Sequence, residues 1–211
     1  MIEIAVVTHP RRYDDALDLA EKLNATISMD DISMGAARNH ERAWTWLKDS
    51  PEPWSLVLED DAVVCSDFLE QVNLALAHAP SPIVSFYLGR GRPPHWQDKI
   101  ARVIAREEHW ILSTEMLHGV AVAIRTELIP DLLTWIEDQE PVDEAMSDFA
   151  QQNHLEIAYS HPSLVDHRDH GTLMDVHPTR HPDPDPVRRN EIRRAWVLGT
   201  RPDWNNSAIA M

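Results

Sequence analysis

The chain has 211 residues and a mass of 24.1 kDa, enough for one compact domain with an extension but cramped for two. Its 43% hydrophobic and 26% charged residues match ordinary globular usage, and 35 acidic against 19 basic side chains give a formal charge of -16, which argues against a broad phosphate-binding face for nucleic acid. Cys65 is the only cysteine, so no internal disulfide forms; no stretch reaches the roughly 18 to 20 apolar residues of a membrane span, and the first residues lack a basic-then-apolar leader, so a cytoplasmic protein is expected.

Residues 2–7 form a β-rich apolar run that stops at Thr8-His9-Pro10, where proline cannot donate to a ladder. Apolar residues at 13, 16, 17, 19, 20 and 23 then trace one helical face, and 25–29 returns to alternation. Residues 36–48 read as a second helix, ended by Pro51 and Pro53, with Trp44 on its apolar side and Trp46 half packed. Trp54-Ser55-Leu56-Val57-Leu58 is a buried strand that breaks off at Glu59-Asp60-Asp61, after which 62–64 resumes. A helix over 67–78 and a strand over 83–88 follow, then a loop at Gly89-Arg90-Gly91-Arg92-Pro93-Pro94. Further strands are expected at 101–105, 110–112 and 120–124, and helices at 126–137 and 143–153. This alternation predicts an α/β fold with a mixed, mostly parallel sheet flanked by helices over residues 1–176. Residues 177–211, which begin with alternating prolines, read as a C-terminal extension that includes a short basic helix within 187–198.

Three consecutive carboxylates after a buried strand repel one another unless a cation or a set of donors compensates them. Mg²⁺ or Mn²⁺ is the natural partner, since hard divalent ions take one or two carboxylates and leave positions for substrate phosphates. If the strand continues, residues 59 and 61 point the same way, so that one meets the metal and the other ribose or the ion's water shell. The plain alternative is an acidic loop after a strand.

The run Gly35-Ala36-Ala37-Arg38-Asn39-His40-Glu41-Arg42-Ala43-Trp44, followed by Leu58-Glu59-Asp60-Asp61-Ala62 and Phe68, resembles glycosyltransferase family 25. Gly119-Val120-Ala121, Pro141-Val142-Asp143 and Pro162-Ser163-Leu164-Val165-Asp166-His167 resemble that family in order, and the likeness covers about residues 1–172. Asn39 stands where the family usually has serine, and Gly171-Thr172-Leu173 replaces a serine-containing end. The resemblance implies a GT-A (Rossmann-like) architecture, a nucleotide diphosphate sugar as donor, a divalent metal and inversion at the anomeric carbon. It implies Asp61 as metal ligand, Glu59 and Asp60 on metal or ribose, and His167 closing the metal site.

Asp143 opens a helix, where a carboxylate caps amides or, functionally, acts as the general base on an acceptor hydroxyl; Glu144 and Asp148, four residues apart on one face, are the alternatives. Arg38, Asn39 and His40 near a helix start suit diphosphate or sugar hydroxyls, or are solvated polar residues. Thr8, His9 and Arg11 follow the first strand, where ligands bind in open α/β sheets, and are expected on base or ribose. Trp96 is an acceptor-stacking candidate, while the late histidines match no zinc spacing. The function expected is transfer of a sugar from a UDP- or GDP-sugar to a hydroxyl on a glycan, a protein or a modified DNA base. The alternatives are a metal-dependent nucleotide phosphohydrolase and a noncatalytic nucleotide-sugar-binding protein.

Overall fold

The computed structural model describes residues 2–89, 94–106, 108–136, 141–168 and 203–210. The expected loop at Arg90-Gly91-Arg92-Pro93, the basic helix within 187–198, and Gly171, His170, His177 and His181 lie outside these residues.

The chain opens with strand β1 (Ile2–Thr8), helix α1 (Tyr13–Leu23) and strand β2 (Thr26–Met29). Between β1 and α1 a short 3₁₀ turn begins at Pro10, with His9 Nδ1 accepting from Arg11 N at 3.1 Å. Asn24, in the left-handed region at φ 53°, closes α1 by donating its N–H to Ala20 O. Helix α2 (Ala36–Leu47) starts at Gly35, whose φ of 92° is open to glycine and strained for other residues. Asp30 accepts from Met34 N and Gly35 N just ahead of it.

Strand β3 (Trp54–Glu59) leads through a turn to β4 (Ala62–Val64), then helix α3 (Phe68–Ala77) and strand β5 (Ile83–Ser85). Helix α4 (Pro94–Arg106), strands β6 (Trp110–Ser113) and β7 (Ala121–Arg125), and helices α5 (Ile129–Ile136) and α6 (Val142–Gln152) follow. Strands β8 (Ile157–Ser160), β9 (Val165–His167) and β10 (Ala208–Ala210) complete the described chain.

Eight strands form one sheet in the order β10-β6-β8-β5-β7-β3-β1-β2, and β4 pairs with β9 beside it. The sheet is mixed: β1 is parallel to both β2 and β3, β5 to β8 and β6 to β10, while β7 is antiparallel to β3 and β5. Alternation along β1 fills both faces. Ile4 and Val6 pack with Ala16, Leu19 and Leu23 of α1 and Phe68, Val72 and Leu76 of α3. Ala5 and Val7 pack with Trp44 of α2, Leu132 of α5 and Phe149 of α6. A sheet buried on both faces is the expected α/β arrangement. No helix among the described residues is long and apolar enough to cross a membrane.

Two sequence expectations need correction. Residues 101–105 are helical, as part of α4. The apolar positions 96, 100, 103 and 104 have helical spacing, which the short window 101–105 hides. The far end of the supposed extension also belongs to the domain, because β10 pairs in parallel with β6, and Trp204 is buried against Trp110, ring centroids 5.3 Å apart. Trp204 Nε1 donates to Gln71 Oε1 at 3.0 Å, so the indole brings its polar atom to a partner inside the core. Trp204→Ala is expected to lower unfolding stability by about 3–5 kcal/mol, the usual range for deleting a buried aromatic, measured by urea denaturation. A loss below about 1 kcal/mol would mean that this segment contributes little to the fold.

Candidate functional site

β1 and β3 are parallel neighbours with Val7 opposite Glu59, so both carboxyl ends reach the same edge of the sheet. From β1 the chain passes through α1 to β2 on one side; from β3 it moves away in the other direction, towards β5. The reversal makes a topological switch point at the ends of these two strands, the place where open α/β sheets bind ligands. Thr8-His9 stands at the end of β1 and Glu59-Asp60-Asp61 at the end of β3.

The three carboxylates do different things. Asp60 turns back to β1, where its Oδ2 accepts from Thr8 Oγ1 at 2.8 Å and His9 N at 3.2 Å, and its Oδ1 from Arg12 Nη1 at 3.1 Å. The expectation of Asp60 on metal or ribose is revised accordingly, and so is that of Thr8 on a ligand. Both side chains are buried in fastening the loop. His9 stays half-buried with Nδ1 on Arg11 N, and Arg11 and Arg38 are exposed.

Asn39 is also corrected. Its amide donates to Thr8 O and Ser28 O, and its oxygen accepts from Ser28 Oγ at 2.7 Å and Arg42 Nη2 at 3.0 Å. The full hydrogen-bonding capacity of the side chain therefore serves to tie α2 to β1 and β2.

Glu59, Asp61 and His167 each offer a ligand atom, and these atoms lie within 4.8 Å of one another. His167 reaches the cluster because β9 pairs with β4, with Ala62 opposite His167. Arg168 N donates to Asp61 O at 2.8 Å, and the Arg168 side chain pairs with Asp15 of α1, so the segment is held on both sides of the turn. Asp61 Oδ2 receives Arg12 Nη1 at 2.7 Å and lies 3.2 Å from His167 Nε2. Burial works against the charge of Asp61, but His167 and then Arg12 outweigh it and hold the carboxyl below its ordinary range. Its other oxygen, Oδ1, is buried without a hydrogen-bond partner. A buried carboxylate oxygen left unsatisfied is costly, and a cation shared with Glu59 and His167 would satisfy it. Two oxygens and an imidazole nitrogen suit Mn²⁺ and, less well, Mg²⁺.

Glu59 has the opposite tendency. Burial, then the charge of Asp61, pushes its carboxyl up to about 8, with Asp60 and Asp143 adding and His167 opposing. The side chain keeps 34% of its surface open, so water moderates the push without reversing it. Gly119 makes room for this carboxylate, since a Cβ there would stand 3.2 Å from Glu59 Oε1. His40, expected on diphosphate or sugar, is buried beneath, with Nε2 3.8 Å from Glu59 Oε1, beyond hydrogen-bond range. Desolvation lowers its pKa to about 4, so the imidazole is neutral at pH 7.

A folded-state pKa above the unfolded value stabilises the protein while the group is protonated. The contribution of Glu59 is complete below about pH 4.5 and is lost as pH rises through about 8. Glu59→Gln is therefore expected to flatten the fall in melting temperature between pH 5 and 8.5. An unchanged pH slope in thermal melts would contradict this assignment of charge.

Asp143 is the second residue of α6, half-buried, with Oδ1 accepting from Glu144 N at 3.1 Å. Burial raises its pKa, and its charge is felt at Glu59. Glu144 and Asp148 are exposed, and neither is among the charges acting on Glu59. Trp96 is corrected from a stacking platform to core: it is 2% exposed, with its ring against Tyr159 at 5.3 Å. Arg12 is the functional neighbour that the sequence did not single out, because its partners lie 48 and 49 positions away.

No protein-family model and no curated protein matches the sequence. Among solved structures, A197 from STIV is similar at a TM-score of 0.44 and 11% identity, over 83% of this chain and 99% of that one. S. aureus TarS 1-349 is similar at a TM-score of 0.44 and 14% identity, over 74% of this chain and 57% of that one. The chain thus spans little more than half of the TarS fragment, and what it does has to be read from the site itself.

Proposed function

We propose that the chain is a metal-dependent glycosyltransferase of the GT-A type that moves a sugar from a UDP- or GDP-sugar to an acceptor hydroxyl with inversion. The observation that carries this reading is the cluster of Glu59, Asp61 and His167 at the switch point of the sheet, with one buried Asp61 oxygen unsatisfied. The resemblance of the helix and Leu-Glu-Asp-Asp segment to glycosyltransferase family 25 supports it.

In this reading Asp61, Glu59 and His167 hold Mn²⁺ or Mg²⁺, which when bound supplies positive charge to the leaving diphosphate. Arg11 and Arg38, exposed beside the ends of β1 and α2, add charge for the phosphates. Asp143 accepts the proton of the acceptor hydroxyl as that oxygen forms its bond to the anomeric carbon and the bond to diphosphate breaks. Its raised pKa makes it a better base than an exposed carboxylate. The acceptor is a glycan, a protein hydroxyl or a modified DNA base, the last disfavoured by the charge of -16.

The test is incubation with UDP- and GDP-sugars, Mn²⁺ and an acceptor panel, with products read by mass spectrometry. An acceptor heavier by one sugar together with free nucleoside diphosphate is the expected outcome. Phosphate or nucleoside monophosphate without glycosylated product would instead identify a phosphohydrolase, and tight donor binding without any product a binding protein.

A further inference from the structure

Beside the carboxylates runs a second group of side chains that the chemistry above leaves unused. His118 stands on the loop of residues 114–119 between β6 and β7, and this loop is firmly held. Met116 N donates to Ser147 Oγ at 2.8 Å, Leu117 N donates to Tyr159 Oη at 2.8 Å, and Tyr159 Oη donates to Glu115 O at 2.6 Å. Ser147 in turn donates to Asp143 O at 2.7 Å, so the first turns of α6, which carry the candidate base, also anchor the loop. At the loop's end Gly119 lies against Glu59, and Val120 O accepts from Glu59 N at 2.9 Å.

The His118 ring is partly exposed and lies 5.2 Å from that of Tyr87, tilted by 54°. Tyr87, itself buried, stacks at 6.2 Å and 28° on His167. Tyr87 thus contacts both His118 and the candidate metal ligand His167. An imidazole nitrogen can donate to or accept from a hydroxyl, and a rigid loop presents it with little ordering cost.

We infer that His118 binds a hydroxyl of the sugar being transferred and helps to select that sugar. This rests on the proposed function, because it requires the diphosphate to sit at Glu59, Asp61 and His167. Gly119, against Glu59, and Tyr87, against His167, put His118 beside that position, and the loop that carries it is anchored through Ser147 to the turn of α6 that holds Asp143. Tyr87 gives the imidazole a fixed backing, so the contact discriminates between hexoses that differ in one hydroxyl, as sites built to bind a hydroxyl do.

Calorimetry with Mn²⁺ plus UDP or GDP, and then with UDP-glucose, UDP-galactose, UDP-N-acetylglucosamine and GDP-mannose, tests this in wild type, His118→Phe and His118→Asn. Phenylalanine keeps a ring against Tyr87 and loses the hydrogen bond; asparagine keeps a polar group. The expected result is an unchanged affinity for the nucleotide alone in both variants. Affinity for the preferred nucleotide sugar falls about tenfold in His118→Phe, with the preference among hexoses flattened and partial recovery in His118→Asn. Equal loss for nucleotide and nucleotide sugar, unchanged affinity for both, or an effect confined to the KM of the acceptor would overturn the inference. Absence of nucleotide binding by the wild-type protein is read before any variant and would remove the proposed function itself.

Discussion

Replacing Asp61 with asparagine should lower sugar transfer on the order of a thousandfold, the equivalent of several kcal/mol of charge stabilisation withdrawn from the reacting diphosphate. Asparagine keeps the shape of the side chain, so the turn after β3 should survive, with circular dichroism close to wild type, while the melting temperature in metal-free buffer falls with the lost ion pairs to Arg12 and His167. What is lost is the anionic oxygen that the fold leaves buried and unsatisfied. Mn²⁺ affinity, followed by the free-ion paramagnetic resonance signal, should weaken in parallel with turnover. A variant that transfers sugar at the wild-type rate in the presence of Mn²⁺ would remove Asp61 from the metal site.

The second large effect concerns Arg12. Its side chain is 15% exposed, and its guanidinium bridges Asp60 and Asp61, whose side chains are 8% and 7% exposed. Arg12→Met leaves two buried carboxylates without their shared cation, which typically costs about 3–5 kcal/mol. Asp61 is held below its ordinary pKa, so its contribution to stability is present above the unfolded value of about 3.8 and is lost as pH falls through the lower folded value. The deficit of Arg12→Met relative to wild type should therefore be largest near neutral pH and shrink as falling pH protonates Asp61. Urea denaturation across that range gives the comparison. A deficit independent of pH would point to lost packing by the arginine stem in place of lost charge.

These two residues also show which parts of the molecule were legible in the sequence. β1, α1 and α2 follow from local pattern, because each buries a regular stripe and is bounded by a residue suited to that place, Pro10 after β1, Asn24 after α1 and Gly35 before α2. The acidic turn is visible because charge repulsion is local along the chain. Where the carboxylates point is not, since Asp60 is claimed by Thr8 and Arg12 from a loop about 50 positions earlier. The sequence singled out Arg11 and passed over its neighbour Arg12, a choice that depends on the 3₁₀ turn after Pro10. His167 came to notice through family resemblance alone. Its proximity to Asp61 is created by the pairing of β4 with β9, across about 100 residues that no periodicity spans.

The errors have the same origin. A five-residue apolar window at 101–105 cannot distinguish strand from helix, and the period becomes readable only when Trp96 and Ile100 are included. β10 is three residues long and follows a proline-rich stretch, so nothing local marks it as a sheet member. It pairs with β6 because Trp204 anchors it to Gln71 and Trp110 from outside the strand. Asn39, within the segment that most resembles a sugar-transferring family, stitches α2 to the sheet through partners on β1 and β2 that no local pattern marks.

Crystals grown with Mn²⁺ and UDP, measured at the manganese absorption edge, address the central proposal most directly. One anomalous peak is predicted at coordination distance from Asp61, Glu59 and His167. Ordered UDP with no peak between those three side chains, or manganese bound elsewhere, would contradict it.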